Sequence, residues 1–145
     1  FDEKIKIAEF IAGPHLQASL VQSAIKLDFN ALLFHGTGLG HLPISDPEDD
    51  SIENIKLRTI LEDYCNQGGI AVVVAQTVHG PVNMDVYSKG RQQQEIGILG
   101  HKSFCPPGSA LVKLHYLLST NKEIESVKDK WTLDLVGENP SFSLD

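Results

Sequence analysis

The sequence predicts an α/β fold: a small doubly wound, mostly parallel sheet with helices on both faces, Rossmann-like or flavodoxin-like in its three αβα layers. Three observations predict it. Residues 31–34 (ALLF) and 70–74 (IAVVV) are apolar at every position, as expected of strands covered on both faces. The stretches between the strands carry apolar residues at helical spacing. The glycine loop at residues 36–43, GTGLGHLP, follows the second strand and puts bare backbone at the carboxyl end of the sheet, where α/β folds place their ligands.

The first strand is read over residues 4–11 (KIKIAEFI), where β-branched and aromatic residues partly alternate before Gly13 and Pro14 stop the run. A helix over about residues 14–27 follows, with Leu16, Leu20, Ala24 and Leu27 as its apolar stripe. Residues 30–34 form the second strand. After the glycine loop, Asp46, Glu48, Asp49 and Asp50 precede a helix carrying Ile52, Ile55, Leu61 and Tyr64, where negative charge meets the positive end of the helix dipole. Asn66, Gln67, Gly68 and Gly69 end that helix ahead of the third strand. Strand, helix, strand, helix, strand is the βαβαβ unit of a parallel sheet with right-handed crossovers. Beyond it the text predicts a loop at residues 76–83, a short helix around 90–96 and a short strand near Ile98. Two helices close the chain, one carrying Ala110, Leu111, Leu114, Leu117 and Leu118, the other Ile124, Val127, Trp131 and Leu135.

At 145 residues and 41% hydrophobic content, residues 1–145 make one domain by the usual ~100–200 residues per domain, with enough apolar surface for a core. A formal charge of −7 argues against a phosphate-tracking nucleic-acid surface. Cys65 and Cys105 are too few for a disulfide framework or a four-thiolate zinc site, and no secretory signal is evident, so a reducing cytoplasm is the expected location. No run of ~18 apolar residues is present to span a membrane. The chain opens on Phe1 and runs directly into strand-like sequence, which reads as a piece of something longer.

Gly36, Gly38 and Gly40 are spaced G-x-G-x-G, not G-x-G-x-x-G, and the next helix begins about ten residues later. A tight turn, or a turn lining an active site, therefore suits the loop better than a phosphate cradle. The histidines at 15, 35, 41, 79, 101 and 115 fall in no metal-binding helical spacing, although His41 and His79 both follow strand ends and are placed to meet at the rim. His115 is expected in or near the core. Neither cysteine has an adjacent positioned base, and no G-x-S-x-G elbow appears. The residues do not assemble a nucleophile, a base and an oxyanion site, and no cofactor or metal is implied.

GTGLGHLP at residues 36–43, QTVHGPVNMDVYSKGR at 76–91 and ALVKLHYLL at 110–118 together resemble the C-terminal domain of the asparaginase/glutaminase family, in order and with similar gaps from Phe1 to about Gly137. Within it they look closest to type I asparaginases and to the D subunit of the archaeal glutamyl-tRNA(Gln) amidotransferase. The segments at 82–84, 86–88, 90–91 and 135–138 favour the latter.

The resemblance implies that the nucleophilic threonine and the threonine, aspartate and lysine that activate it lie in a larger N-terminal domain, so this chain holds no catalytic residue and is inactive alone. It also implies a Rossmann-like module that completes the neighbouring subunit's pocket in a homodimer. The pocket rim it contributes is Gly36, Thr37, Gly38, Leu39, Gly40, His41, Gln76, Thr77 and His79, with His41 where bacterial relatives carry a pocket asparagine. The implied chemistry is acyl transfer from asparagine or glutamine with release of ammonia. In the tRNA-dependent form the ammonia passes to a tRNA-binding kinase-amidase partner, and this chain needs no nucleic-acid surface. A free type I asparaginase domain and a stand-alone flavodoxin-like nucleotide-binding module are the alternatives. Two segments depart from the family pattern: residues 101–108, one residue longer than usual, and Gln92, Gln93 and Gln94, which replace a more apolar helical stretch.

Overall fold

Strands buried on both faces need apolar side chains pointing both ways, and the central strand of this chain has them. The computed structural model describes residues 1–44, 51–77 and 79–140. In chain order the elements are β1 (Ile7–Ile11), α1 (Ala18–Lys26), β2 (Ala31–Gly36), α2 (Ile52–Asn66), β3 (Ala71–Ala75), α3 (Ser88–Glu95), α4 (Pro107–Thr120) and α5 (Ile124–Trp131). The strands pair in parallel in the order β1-β2-β3, with Ile7 opposite Ala31 and Leu32 opposite Ala71. Leu99 extends the sheet beyond β3 by a parallel bridge to Val72, its N–H reaching the Ala71 carbonyl at 2.9 Å. This bridge is what forms of the short strand expected near Ile98.

Successive residues of each strand point to opposite faces and so define two cores. Leu32, Phe34 and Val73 meet Val21 and Ala24 of α1 and Leu57 and Leu61 of α2. Leu33, Val72 and Val74 meet Leu114 and Leu117 of α4 and Val127 and Trp131 of α5. Each large side chain removed from water contributes roughly 1.5–3 kcal/mol. Helices therefore cover both faces of a parallel sheet, as the sequence predicts.

Several helical details differ from expectation. α1 begins at Ala18, and its buried stripe is Ala18, Val21 and Ala24, while Leu20 and Leu27 are exposed. The two alanines lack bulk and let the helix lie close on the sheet, so the larger leucines are not the packing residues. α2 likewise buries Leu57 and Leu61 and leaves Ile52 and Ile55 exposed. α3 begins two residues early, at Ser88, and α5 ends at Trp131, leaving Leu135 outside it. The acidic helix entrance, Asp46, Glu48, Asp49 and Asp50, lies outside the described residues.

An ion pair ties the carboxyl end of the fold to α4. Lys113 Nζ sits 2.7 Å from Glu138 Oε1 with both side chains nearly inaccessible (2% and 8% exposed). The ammonium also donates to the Leu133 carbonyl and lies 5.4 Å from the centre of the Trp131 ring. Glu138 accepts the Val136 N–H at 2.8 Å, and Asn139 accepts the Phe104 N–H at 2.7 Å, which anchors the departing 101–108 segment. Burial works against the Glu138 charge, but the Lys113 ammonium and the backbone N–H groups of Val136, Leu135 and Glu138 itself outweigh it and hold the carboxyl down at about 2.

Candidate functional site

At the carboxyl end of β2 the chain reverses within five residues. Thr37 and His41 form an antiparallel bridge: Thr37 N–H donates to the His41 carbonyl at 2.9 Å, and His41 N–H returns to the Thr37 carbonyl at 2.8 Å. Three residues, Gly38, Leu39 and Gly40, close the hairpin. Gly40 has φ +92°, in the left-handed region that glycine adopts without strain, and a Cβ there would meet Val82 Cγ1 at 2.7 Å. At Gly36 a Cβ would lie 2.5 Å from the Gly40 carbonyl carbon. Two strands of the turn thus touch backbone to backbone.

The hairpin stands clear of the core at its tip. Thr37 and Gly38 are exposed and Leu39 is half-buried, while Gly36 and Gly40 are buried beneath them. Among the described residues, the N–H groups of Gly38 and Leu39 have no protein acceptor. They are available to an anionic or oxyanionic ligand.

His41 packs edge-on against Tyr87, ring centres 5.2 Å apart, and its Nε2 is buried without a hydrogen-bond partner. Burial first, and the Lys89 ammonium second, hold the imidazole below its ordinary value and favour its neutral form. Gln76 braces the base of the hairpin: its N–H donates to the Gly36 carbonyl at 2.9 Å, and its carboxamide donates to the carbonyls of His35 (2.6 Å) and Ala12 (2.8 Å). His35 in turn faces Glu9 at 3.1 Å across β1 and β2.

The structure therefore brings Gly36, Thr37, Gly38, Leu39, Gly40, His41 and Gln76 together. Thr77 and His79 line a cleft of about 360 Å³ with Ser103, Cys105, Ser109 and Glu138. His41 packs against Tyr87, and His79 is found lining that cleft. Among the described residues, no three of His, Cys, Asp and Glu come together as a possible metal site.

Two supports of the hairpin are not apparent from the sequence. Asn83 N–H donates to the Leu39 carbonyl at 3.0 Å. Gln93, fully buried, accepts the Leu42 N–H at 2.8 Å and donates to the Gly40 carbonyl at 2.9 Å. The available signal is the i, i+3, i+6 spacing of Gly90, Gln93 and Ile96, all buried on one side of α3 and just beyond its end.

Among the described residues the arrangement offers hydrogen-bond donors, and neither cysteine is activated as a nucleophile. Burial pushes both thiols, Cys65 and Cys105, up to about 11. Both stay protonated at neutral pH, so iodoacetamide labelling is expected to be slow at pH 7–8 and to accelerate toward pH 11. Labelling at pH 7 as fast as that of a free cysteine would contradict the burial of these thiols.

The sequential strand order contains no reversal among the described strands, so no crevice of the nucleotide-binding kind opens between them. The glycine loop, closed on itself as a hairpin, does not lead directly into a helix N-terminus. Both features speak against a phosphate cradle.

Comparison with known proteins places these features in a family context. The family model described as Glutaminase/Asparaginase C-terminal domain matches residues 6–130. The D subunit of the glutamyl-tRNA(Gln) amidotransferase from Methanococcus maripaludis is 33% identical over 142 residues, 97% of this chain and 31% of the relative. The protein of the same name from Metallosphaera sedula is 31% identical over 146 residues, 100% of this chain and 30% of the relative. The chain thus spans about a third of the length of the curated relatives it matches. Among solved structures, L-asparaginase I from Vibrio cholerae superposes with a TM-score of 0.76 at 28% identity, covering 93% of this chain and 38% of that one. The thermostable L-asparaginase from Thermococcus kodakarensis has a TM-score of 0.78 at 18% identity, covering 98% and 40%, a likeness of fold alone.

Proposed function

The chain belongs to the glutaminase/asparaginase C-terminal domain family, and we propose that it works as the carboxyl-terminal domain of a longer amidohydrolase that releases ammonia from glutamine or asparagine for tRNA-dependent glutamine synthesis. One observation carries this reading: an exposed hairpin with two unengaged N–H donors beside a histidine whose burial favours the neutral form, in a domain whose two cysteines burial keeps protonated. Such a surface suits one wall of a pocket whose reactive group stands on another domain. A threonine there attacks the side-chain amide, ammonia leaves, and water releases the acid.

In that pocket, N–H groups at Gly38 and Leu39 suit the substrate's α-carboxylate or the developing oxyanion, both of which need donors fixed before reaction. Gly36, Thr37, Gly40, His41 and Gln76 shape the wall, and Thr77 and His79 border the neighbouring cleft. The partners are the chain's own catalytic domain, a second copy whose pocket the hairpin completes, and a tRNA-binding kinase-amidase subunit that takes up the ammonia. The setting is the cytoplasm, in keeping with the finding that no described helix is long and apolar enough to cross a membrane. The likeness to the Vibrio cholerae L-asparaginase I supports a second reading, a type I asparaginase domain acting on free asparagine.

His41→Ala in the assembled enzyme tests the pocket. Loss of a wall residue that touches substrate should lower kcat/KM by about tenfold or more, equivalent to ~1.4 kcal/mol of transition-state stabilisation. An unchanged kcat/KM would assign His41 to structure alone.

A further inference from the structure

We propose that Gln93 is a positioning residue for the rim: its buried carboxamide holds the hairpin in the conformation that presents Gly38, Leu39 and His41. The inference rests on the pocket reading for its catalytic consequence and on geometry alone for its structural one.

A fully buried carboxamide is unfavourable unless both of its ends are satisfied. Here both are, and by the same short segment. The oxygen accepts from Leu42 N–H and the nitrogen donates to the Gly40 carbonyl, groups 51 and 53 residues away in sequence. Gly40 and Leu42 are themselves buried, so without Gln93 a carbonyl and an N–H would lose their partner away from water. The two clamped groups flank His41. Gln93 thereby fixes the backbone on either side of the histidine, while Tyr87 fixes its ring and Asn83 holds the Leu39 carbonyl.

Glutamine suits this place for a chemical reason. Its planar amide carries an acceptor and a donor side by side, matching the N–H and C=O that a turning backbone exposes across one residue. A leucine or methionine of similar bulk fills the space and makes neither bond. A hairpin so released would sample other conformations, and its tip would meet the substrate less often in the right one.

Gln93→Met, which keeps length and bulk, separates these roles. By hydrogen exchange on the chain as it stands, the Leu42 amide should exchange about tenfold faster, while Val72, Val73 and Val74 in β3 stay within about twofold of the unmodified chain. Unchanged exchange at Leu42 would overturn the proposal. So would faster exchange throughout β3, which would make Gln93 an ordinary core residue. In the assembled amidohydrolase the same variant should raise KM for the amide substrate by about tenfold with kcat within about twofold, and an active assembly with unchanged KM overturns the catalytic consequence. An unmodified assembly that releases no ammonia would instead defeat the functional reading, and the exchange result would still decide what Gln93 does.

Discussion

Lys113→Ala is expected to lower the unfolding free energy by about 3–5 kcal/mol, the usual cost of leaving one member of a buried ion pair alone. The ammonium faces Glu138 at 2.7 Å, donates to the Leu133 carbonyl and lies over Trp131, so its removal strips charge, hydrogen bond and ring contact together. Urea unfolding of the two proteins measures the difference. A loss below about 1 kcal/mol, typical of surface pairs, would show that the pair is solvated in solution. Replacing both partners with apolar residues should recover part of the loss, because no uncompensated charge then remains.

The same pair sets a pH dependence. Glu138 is held at about 2 in the folded chain, below its ordinary 4.5. A depressed carboxyl contributes stability that is full above the unfolded value and is lost as pH falls from about 5 through 2. Glu138→Gln should flatten that acid limb. An acid limb of equal slope in both proteins would place the stabilisation elsewhere.

Gly36→Val is expected to lower the activity of the assembled enzyme by about a hundredfold, since displacement of a positioned wall by ~1 Å can cost that much. A Cβ at this position would meet the Gly40 carbonyl carbon at 2.5 Å, the Gly40 Cα at 2.7 Å and Val73 Cγ2 at 2.8 Å. Two of these three atoms are backbone, and backbone yields only if the hairpin moves as a whole. Overpacking should also cost about 1–3 kcal/mol of stability. Gly13→Ala is the control, because a Cβ there meets nothing within 4 Å. If Gly36→Val retains full activity, the hairpin is not part of the pocket.

The parts of the fold legible in the sequence are those where one physical demand acts alone. β2 and β3 lie between two helical layers, and only continuous apolar runs satisfy that, so their positions are plain. The buried face of α1 is not, because close approach to the sheet favours Ala18 and Ala24, whereas hydrophobic bulk points to Leu20 and Leu27. The Lys113–Glu138 pair joins a lysine inside an apolar helix to a carboxylate 25 residues on, and no local pattern signals such a partner. At the site, the glycines stand out because a tight reversal requires small residues in sequence order, and His41 because it directly follows them past a strand end. Gln93 does not, since a polar residue in the run Gln92, Gln93, Gln94 looks solvated until the hairpin it holds has been placed. His79 is expected at the rim because it follows a strand end, and its place in the cleft with Cys105 is set by the chain beyond β3, which no local pattern signals.

If this domain shapes a pocket whose reactive hydroxyl belongs to another domain, the purified chain alone should release no ammonia from L-glutamine or L-asparagine. Its rate with either substrate is expected to be indistinguishable from buffer. Sustained turnover by the isolated chain would contradict that division of labour.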